Sequence, residues 1–216
     1  MFRRVFARWG RPDRVRVDNG YPWGSPRDLP TELALWLIGL GVEPIWNPPA
    51  QPTSNPKVER CHGLAQQWGE PQTCTSLSQW ARVLAQVCRI QREEYPALRG
   101  RTRLEAFPHL ATPRREYRVG REGALWDLAR VDSFLARGNW HRRADRNGVI
   151  SLYSYNRAVG RGFANQDLGV QFDRLSRCWL VSDPRGSVIK QLPAPELTRE
   201  RIMSLTVSRR RKAKRQ

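Results

Sequence analysis

Two carboxylates stand at positions suited to work on a phosphodiester. Asp18 closes the run Arg14-Val15-Arg16-Val17 and opens the tripeptide Asp18-Asn19-Gly20, a pattern that predicts a short strand ending in a turn. Glu59 follows Asn55-Pro56-Lys57-Val58. Asparagine caps helices well and proline is tolerated at the first helical position, so Glu59 is predicted on a first helical turn. Two convergent carboxylates suit a hard divalent ion, Mg²⁺ or Mn²⁺, which takes oxygen ligands. Two such ions about 3.5–4 Å apart clamp the attacking and leaving oxygens of a phosphoryl transfer.

The 40 residues between the pair must bring them together. Thr31 to Leu40 reads as a helix, with Leu33, Leu37 and Leu40 at helical spacing and Gly39 and Gly41 at its end. Val42 to Trp46 reads as a second strand, and Asn47 to Asn55 as a loop with three prolines. Helices are predicted from Pro56 to about Trp68, and from Leu77 to Tyr95 with Leu77, Trp80, Leu84, Val87 and Cys88 on one face. A strand–helix–strand path returns the chain to the same sheet end, and the alternation predicts an α/β fold. Spacing alone also fits plainer roles, and favours them: Asp18 as a turn residue, Glu59 as a carboxylate at the positive end of a helix.

Charge points to the partner. The chain has 216 residues with 38 Lys+Arg against 20 Asp+Glu, a net of +18. Such a field attracts polyanions, and the excess is almost all arginine, which forks onto phosphate. Residues 129–216 carry 19 basic and 7 acidic side chains, against 19 and 13 in residues 1–128. This second part alternates short apolar runs with glycine turns such as Asn147-Gly148 and Asp183-Pro184-Arg185-Gly186, which predicts a small all-β barrel over 129–192. Before the first turn stand Trp140, His141, Arg142, Arg143 and Arg146. Aromatic and basic side chains together stack on bases and hold phosphates, although a core tryptophan beside a solvated turn fits equally well. Residues 193–216 are expected to be a basic tail, with Arg209, Arg210, Arg211 and Lys212 as nonspecific phosphate contacts or simply solvated charge.

No apolar run approaches the roughly 18 residues of a membrane span, and Met1-Phe2-Arg3-Arg4 leads into no apolar signal core. The expected location is the cytoplasm, at the nucleoid, with no membrane partner. Cys61, Cys74, Cys88 and Cys178 show no metal spacing and are read as free thiols; His62, His109 and His141 show none either.

The wider order of motifs is more specific than either carboxylate. Trp9-Gly10-Arg11-Pro12 is followed by Val15-Arg16-Val17-Asp18-Asn19-Gly20, then Leu40-Gly41-Val42, then Pro48-Pro49-Ala50-Gln51-Pro52 and Asn55-Pro56-Lys57-Val58-Glu59-Arg60. Over residues 5–68 this closely resembles the integrase core of insertion-sequence transposases and retroviral integrases, the DDE recombinases. A looser likeness extends through Leu104-Glu105-Ala106-Phe107-Pro108. Pro56 stands where the family usually has glycine.

The resemblance implies a ribonuclease-H-like fold in which Asp18 is the second catalytic aspartate and Glu59 the catalytic glutamate. Both would ligate Mg²⁺ during DNA transposition or integration, and Lys57 and Arg60 flank Glu59 as candidate DNA contacts. It also implies an SH3-like DNA-binding barrel after the core. The family's first aspartate lies on a strand tens of residues earlier. Only 17 residues precede Asp18, and their one carboxylate, Asp13, is too close to be that group.

The expectation is therefore a partial ribonuclease-H-like core over residues 1–100 that lacks its first strands and is inactive alone. A linker follows at 101–128, then the barrel at 129–192 and the tail at 193–216. DNA is the expected partner, with a second copy or the missing N-terminal part as further candidates. A non-catalytic DNA-binding remnant is the alternative. A basic RNA-binding protein is a third and weaker reading, since no RNA-binding signature accompanies the charge.

Overall fold

The computed structural model describes residues 2–25, 27–48 and 56–205, with only the backbone at Lys57. The fold is α/β. Its contacts gather into two compact units that interleave along the chain: Met1–Pro12 with Asn47–Val119, and Asp13–Trp46 with Gly120–Gln216.

The second unit begins with strand β1 (Arg14–Val17), helix α2 (Glu32–Gly39) and strand β2 (Glu43–Trp46); helix α1 (Phe2–Trp9) belongs to the first unit. Thr31 caps α2, its hydroxyl accepting from the Ala34 N–H at 3.2 Å. Every residue from Ala34 to Leu40 is buried, as expected of a helix that is apolar all round beyond its first turn. Gly41 ends it at φ 70°. The Gly41 N–H donates to the Ile38 carbonyl and the Val42 N–H to the Leu37 carbonyl, at 2.8 and 2.9 Å. Those two bonds form a Schellman cap, which needs a residue free to adopt positive φ.

β1 and β2 pair in parallel, with Arg14 opposite Glu43 and Val17 opposite Trp46. Glu43 donates its N–H to the Asp13 carbonyl at 2.9 Å. Successive residues of a strand point their backbone groups to opposite sides, so Pro44 faces away from β1. There its missing N–H breaks no ladder bond.

The same unit continues through α6 (Glu122–Leu125) and α7 (Leu128–Leu135), the latter capped by Asp127. Then come β3 (Trp140–Arg143), β4 (Val149–Leu152), β5 (Tyr155–Ala158), β6 (Asp167–Asp173), β7 (Cys178–Ser182) and β8 (Val188–Pro193), followed by α8 (Arg199–Ser204). β3-β6-β7-β8 form one antiparallel sheet in that order, while β4 and β5 pair only with each other. Both predicted turns form. Gly148 sits at φ 71° and Gly186 at φ 87°, and the Asp145 and Asp183 side chains accept the turn amides beside them.

Leu168, Val170, Phe172, Trp179, Val181 and Leu192 are buried, matching the alternation along β6 and β7. The four-stranded sheet keeps two edges, so no closed barrel forms among the described residues. The barrel expectation also began too early, because α7 occupies 128–135. Nor does a tail begin at 193: Leu197 and Ile202 are buried, and α8 packs on α2.

The first unit holds α1 (Phe2–Trp9), α3 (Pro56–Gly69), α4 (Leu77–Glu93) and α5 (Arg103–Ala106). α3 and α4 pack together. Thr102 and Glu105 form a capping box on α5, and the hydrogen bonds from Thr102 hold the Glu105 carboxyl below its usual range. Gly10 lies at φ 79°, and a Cβ there would meet the Arg115 carbonyl oxygen at 2.7 Å. That close approach, sealed by the Arg11 N–H donating to the same carbonyl at 2.8 Å, accounts for the glycine in Trp9-Gly10-Arg11-Pro12.

Candidate functional site

β1 ends at Val17, so Asp18 is the first residue beyond its C-terminal end, and it is exposed. The turn that follows closes tightly, with Gly20 at φ 104° and its N–H donating to the Gly24 carbonyl at 2.7 Å. Parallel pairing puts the C-terminal ends of β1 and β2 on the same side of the sheet, as the strand–helix–strand reading requires. Glu59 is exposed in the first turn of α3, where the aligned peptide dipoles favour a carboxylate. Asp18 belongs to the second unit and Glu59 to the first. Among the described residues no three His, Cys, Asp or Glu side chains gather as metal ligands would.

The flanking cations divide. Arg60 is exposed on α3, and the Lys57 side chain lies outside the described residues. So do the capping residue Asn55 and the tail candidates Arg209, Arg210, Arg211 and Lys212.

The cluster before the Asn147-Gly148 turn also divides. Trp140 is only 5% exposed, with its ring edge-on to Trp179 at 6.1 Å. It is therefore a core residue. Arg142 is half-buried and lies 3.9 Å from Asp28. Arg143 and Arg146 are exposed and, among the described residues, pair with no carboxylate. No described helix is long and apolar enough to cross a membrane.

Sequence reasoning missed a cavity of about 830 Å³ in the second unit, between β2 and α7. Trp46, Arg130, Phe134, Arg137 and Asn139 are among its lining residues. One signal was available: Arg130, Ser133, Phe134 and Arg137 follow the i, i+3, i+4, i+7 spacing of a single helix face. The opposite wall comes from residues some ninety positions earlier, which no local pattern links to it.

Set against the known protein families, the chain matches none of their sequence profiles.

Proposed function

We propose that this chain acts on DNA as part of a DDE-type recombinase, which transposes or integrates DNA by metal-dependent phosphodiester transfer. The observation that carries the reading is Asp18 at the C-terminal end of β1, in a parallel strand–helix–strand unit, with Glu59 following on the first turn of a helix. In this reading β1-α2-β2 is a piece of a ribonuclease-H-like sheet, and the β3–β8 region is an SH3-like DNA-binding module.

Asp18 and Glu59 are hard oxygen donors and fit Mg²⁺. A Mg²⁺ ion held by these carboxylates would supply charge stabilisation for the transferring phosphoryl group. The protein's own contribution is to hold the two carboxylates at element ends and to steer DNA with its +18 charge. Arg143 and Arg146 are the exposed cations best suited to phosphate.

A second reading, DNA binding without catalysis, is favoured by those same exposed arginines, which need no carboxylates. Mn²⁺ titration of the full chain separates the two. The recombinase reading expects binding that Asp18→Asn and Glu59→Gln each abolish. Mn²⁺ binding unchanged in both variants overturns it, and salt-sensitive DNA binding with no Mn²⁺ binding leaves the second reading.

A further inference from the structure

The cavity between β2 and α7 has the composition of a ligand site rather than of a packing defect. Its volume of about 830 Å³ falls within the roughly 300–1,000 Å³ of small-molecule sites, which combine apolar walls with a few placed polar groups. Trp46 from β2 and Phe134 from α7 line it, and both rings are half-buried. Trp46 is held by its indole N–H, which donates to the Trp23 carbonyl at 3.1 Å. Asn139, exposed just before β3, adds a carboxamide that both donates and accepts.

The charge around the cavity decides the sign of the ligand. Three carboxylates line it, and each already faces an arginine: Glu43 faces Arg14 at 2.9 Å, Asp127 faces Arg130 at 3.8 Å and Asp28 faces Arg142 at 3.9 Å. Arg137 is left over. It is exposed and, among the described residues, pairs with no carboxylate. Its Nε donates to the Ser133 carbonyl at 3.2 Å, which anchors the side chain on the α7 face that bears Phe134. Aromatic rings, a carboxamide and one guanidinium that pairs with no carboxylate among the described residues suit a flat heterocycle that carries an anionic group.

We infer that this groove binds an unpaired nucleotide, the base against Phe134 and Trp46 and the phosphate on Arg137. The inference deepens the reading above and rests on it for the origin of the nucleotide in a DNA strand. Stacking on aromatics beside basic side chains is how single strands are held without sequence preference. The groove therefore serves a base that has left its duplex.

The test uses the full chain and two probes. One is 2-aminopurine deoxyribonucleoside 5′-monophosphate; the other is single-stranded oligo-dT carrying one 2-aminopurine, whose emission is quenched on stacking. Phe134→Leu keeps an apolar side chain and removes the π face. Arg137→Gln changes an exposed residue and leaves the fold intact. Wild type is expected to quench at least one probe. Phe134→Leu should weaken that binding about tenfold, the scale of a single base–aromatic stack, and Arg137→Gln should weaken it and flatten its salt dependence.

Quenching of the monophosphate alone identifies a free nucleotide as the source, and quenching of the strand alone identifies DNA; either supports the groove. No quenching by wild type, or quenching unchanged in both variants, overturns it. Duplex DNA binding, measured in parallel, keeps the two readings apart. Its absence beside intact monophosphate binding defeats the recombinase reading alone, and its presence beside absent quenching defeats the groove alone.

Discussion

The indole N–H of Trp36 donates to the carboxylate of Glu122 at 3.1 Å, joining residues 86 positions apart. Both are buried, at 0% and 5% exposure, and the Trp126 indole donates back to the Trp36 carbonyl at 3.2 Å. These bonds tie α2 to the segment that leads into the C-terminal sheet. Trp36→Phe keeps an aromatic ring and removes one donor from a buried carboxylate. A buried acceptor deprived of a donor costs about 1–3 kcal/mol, so chemical denaturation should show a loss of that size. Glu122→Gln keeps an acceptor and should lose less. A Trp36→Phe midpoint equal to wild type would strip the bond of any role.

Gly39→Ala sets two effects against each other. Alanine is favoured over glycine inside a helix by about 1 kcal/mol. A Cβ at Gly39, however, would lie 2.1 Å from the Trp126 Nε1. Room is made only by moving a buried indole, and overpacking of this kind costs about 1–3 kcal/mol. The expected result is a lower melting temperature; a raised one would mean that Trp126 relocates freely.

Tyr153 links the β4–β5 hairpin to the start of α2, its hydroxyl donating to the Pro30 carbonyl at 2.8 Å. Burial raises its pKa well above the ordinary 10.0, and the Glu196 carboxylate adds to the effect. The folded state thus holds this proton more tightly than the unfolded chain. Its contribution is complete below about pH 10 and is lost as pH rises further, toward the folded value. Unfolding between pH 8 and 11 should show a loss of stability that Tyr153→Phe lessens. Parallel pH profiles for the two proteins would remove Tyr153 from the account.

DNA binding should separate the arginines around the Asn147-Gly148 turn. The slope of log K against log salt is about 0.9 for every phosphate that a cation neutralises. Arg143→Gln and Arg146→Gln are each expected to flatten it by about that amount. Arg142→Gln should change the slope less, since Arg142 is half-buried and faces Asp28. Equal slopes in all three variants would place the phosphate-binding cations elsewhere.

The sequence was most legible where local signals agree. β1 runs from Arg14 to Val17 as read, and α2, β2, α3 and α4 fall within two residues of their expected ends, because cap, proline and glycine chemistry marks each boundary. It was least legible where distant partners decide. The β4–β5 pairing outside the main sheet depends on which strands meet, and alternation does not encode that. Trp140 illustrates the point: its neighbours in sequence are cations, whereas its neighbour in space is Trp179. Residues 193–205 read as the start of a basic tail, yet Leu197 and Ile202 are buried and α8 packs on α2. The Asp18 and Glu59 positions were readable; the cavity was not, because its walls come from opposite ends of an interleaved unit.

That interleaving has a consequence during synthesis. Residues 13–46 leave the ribosome before the segment from Gly120 onward that completes their unit. The intervening 47–119 take roughly 4–15 s to make at about 5–20 residues per second. For that interval α2, buried from Ala34 to Gly39 in the finished fold, has no α7 or α8 to cover it. The nascent chain should therefore attract holding chaperones in this window and release them once α7 and α8 have emerged.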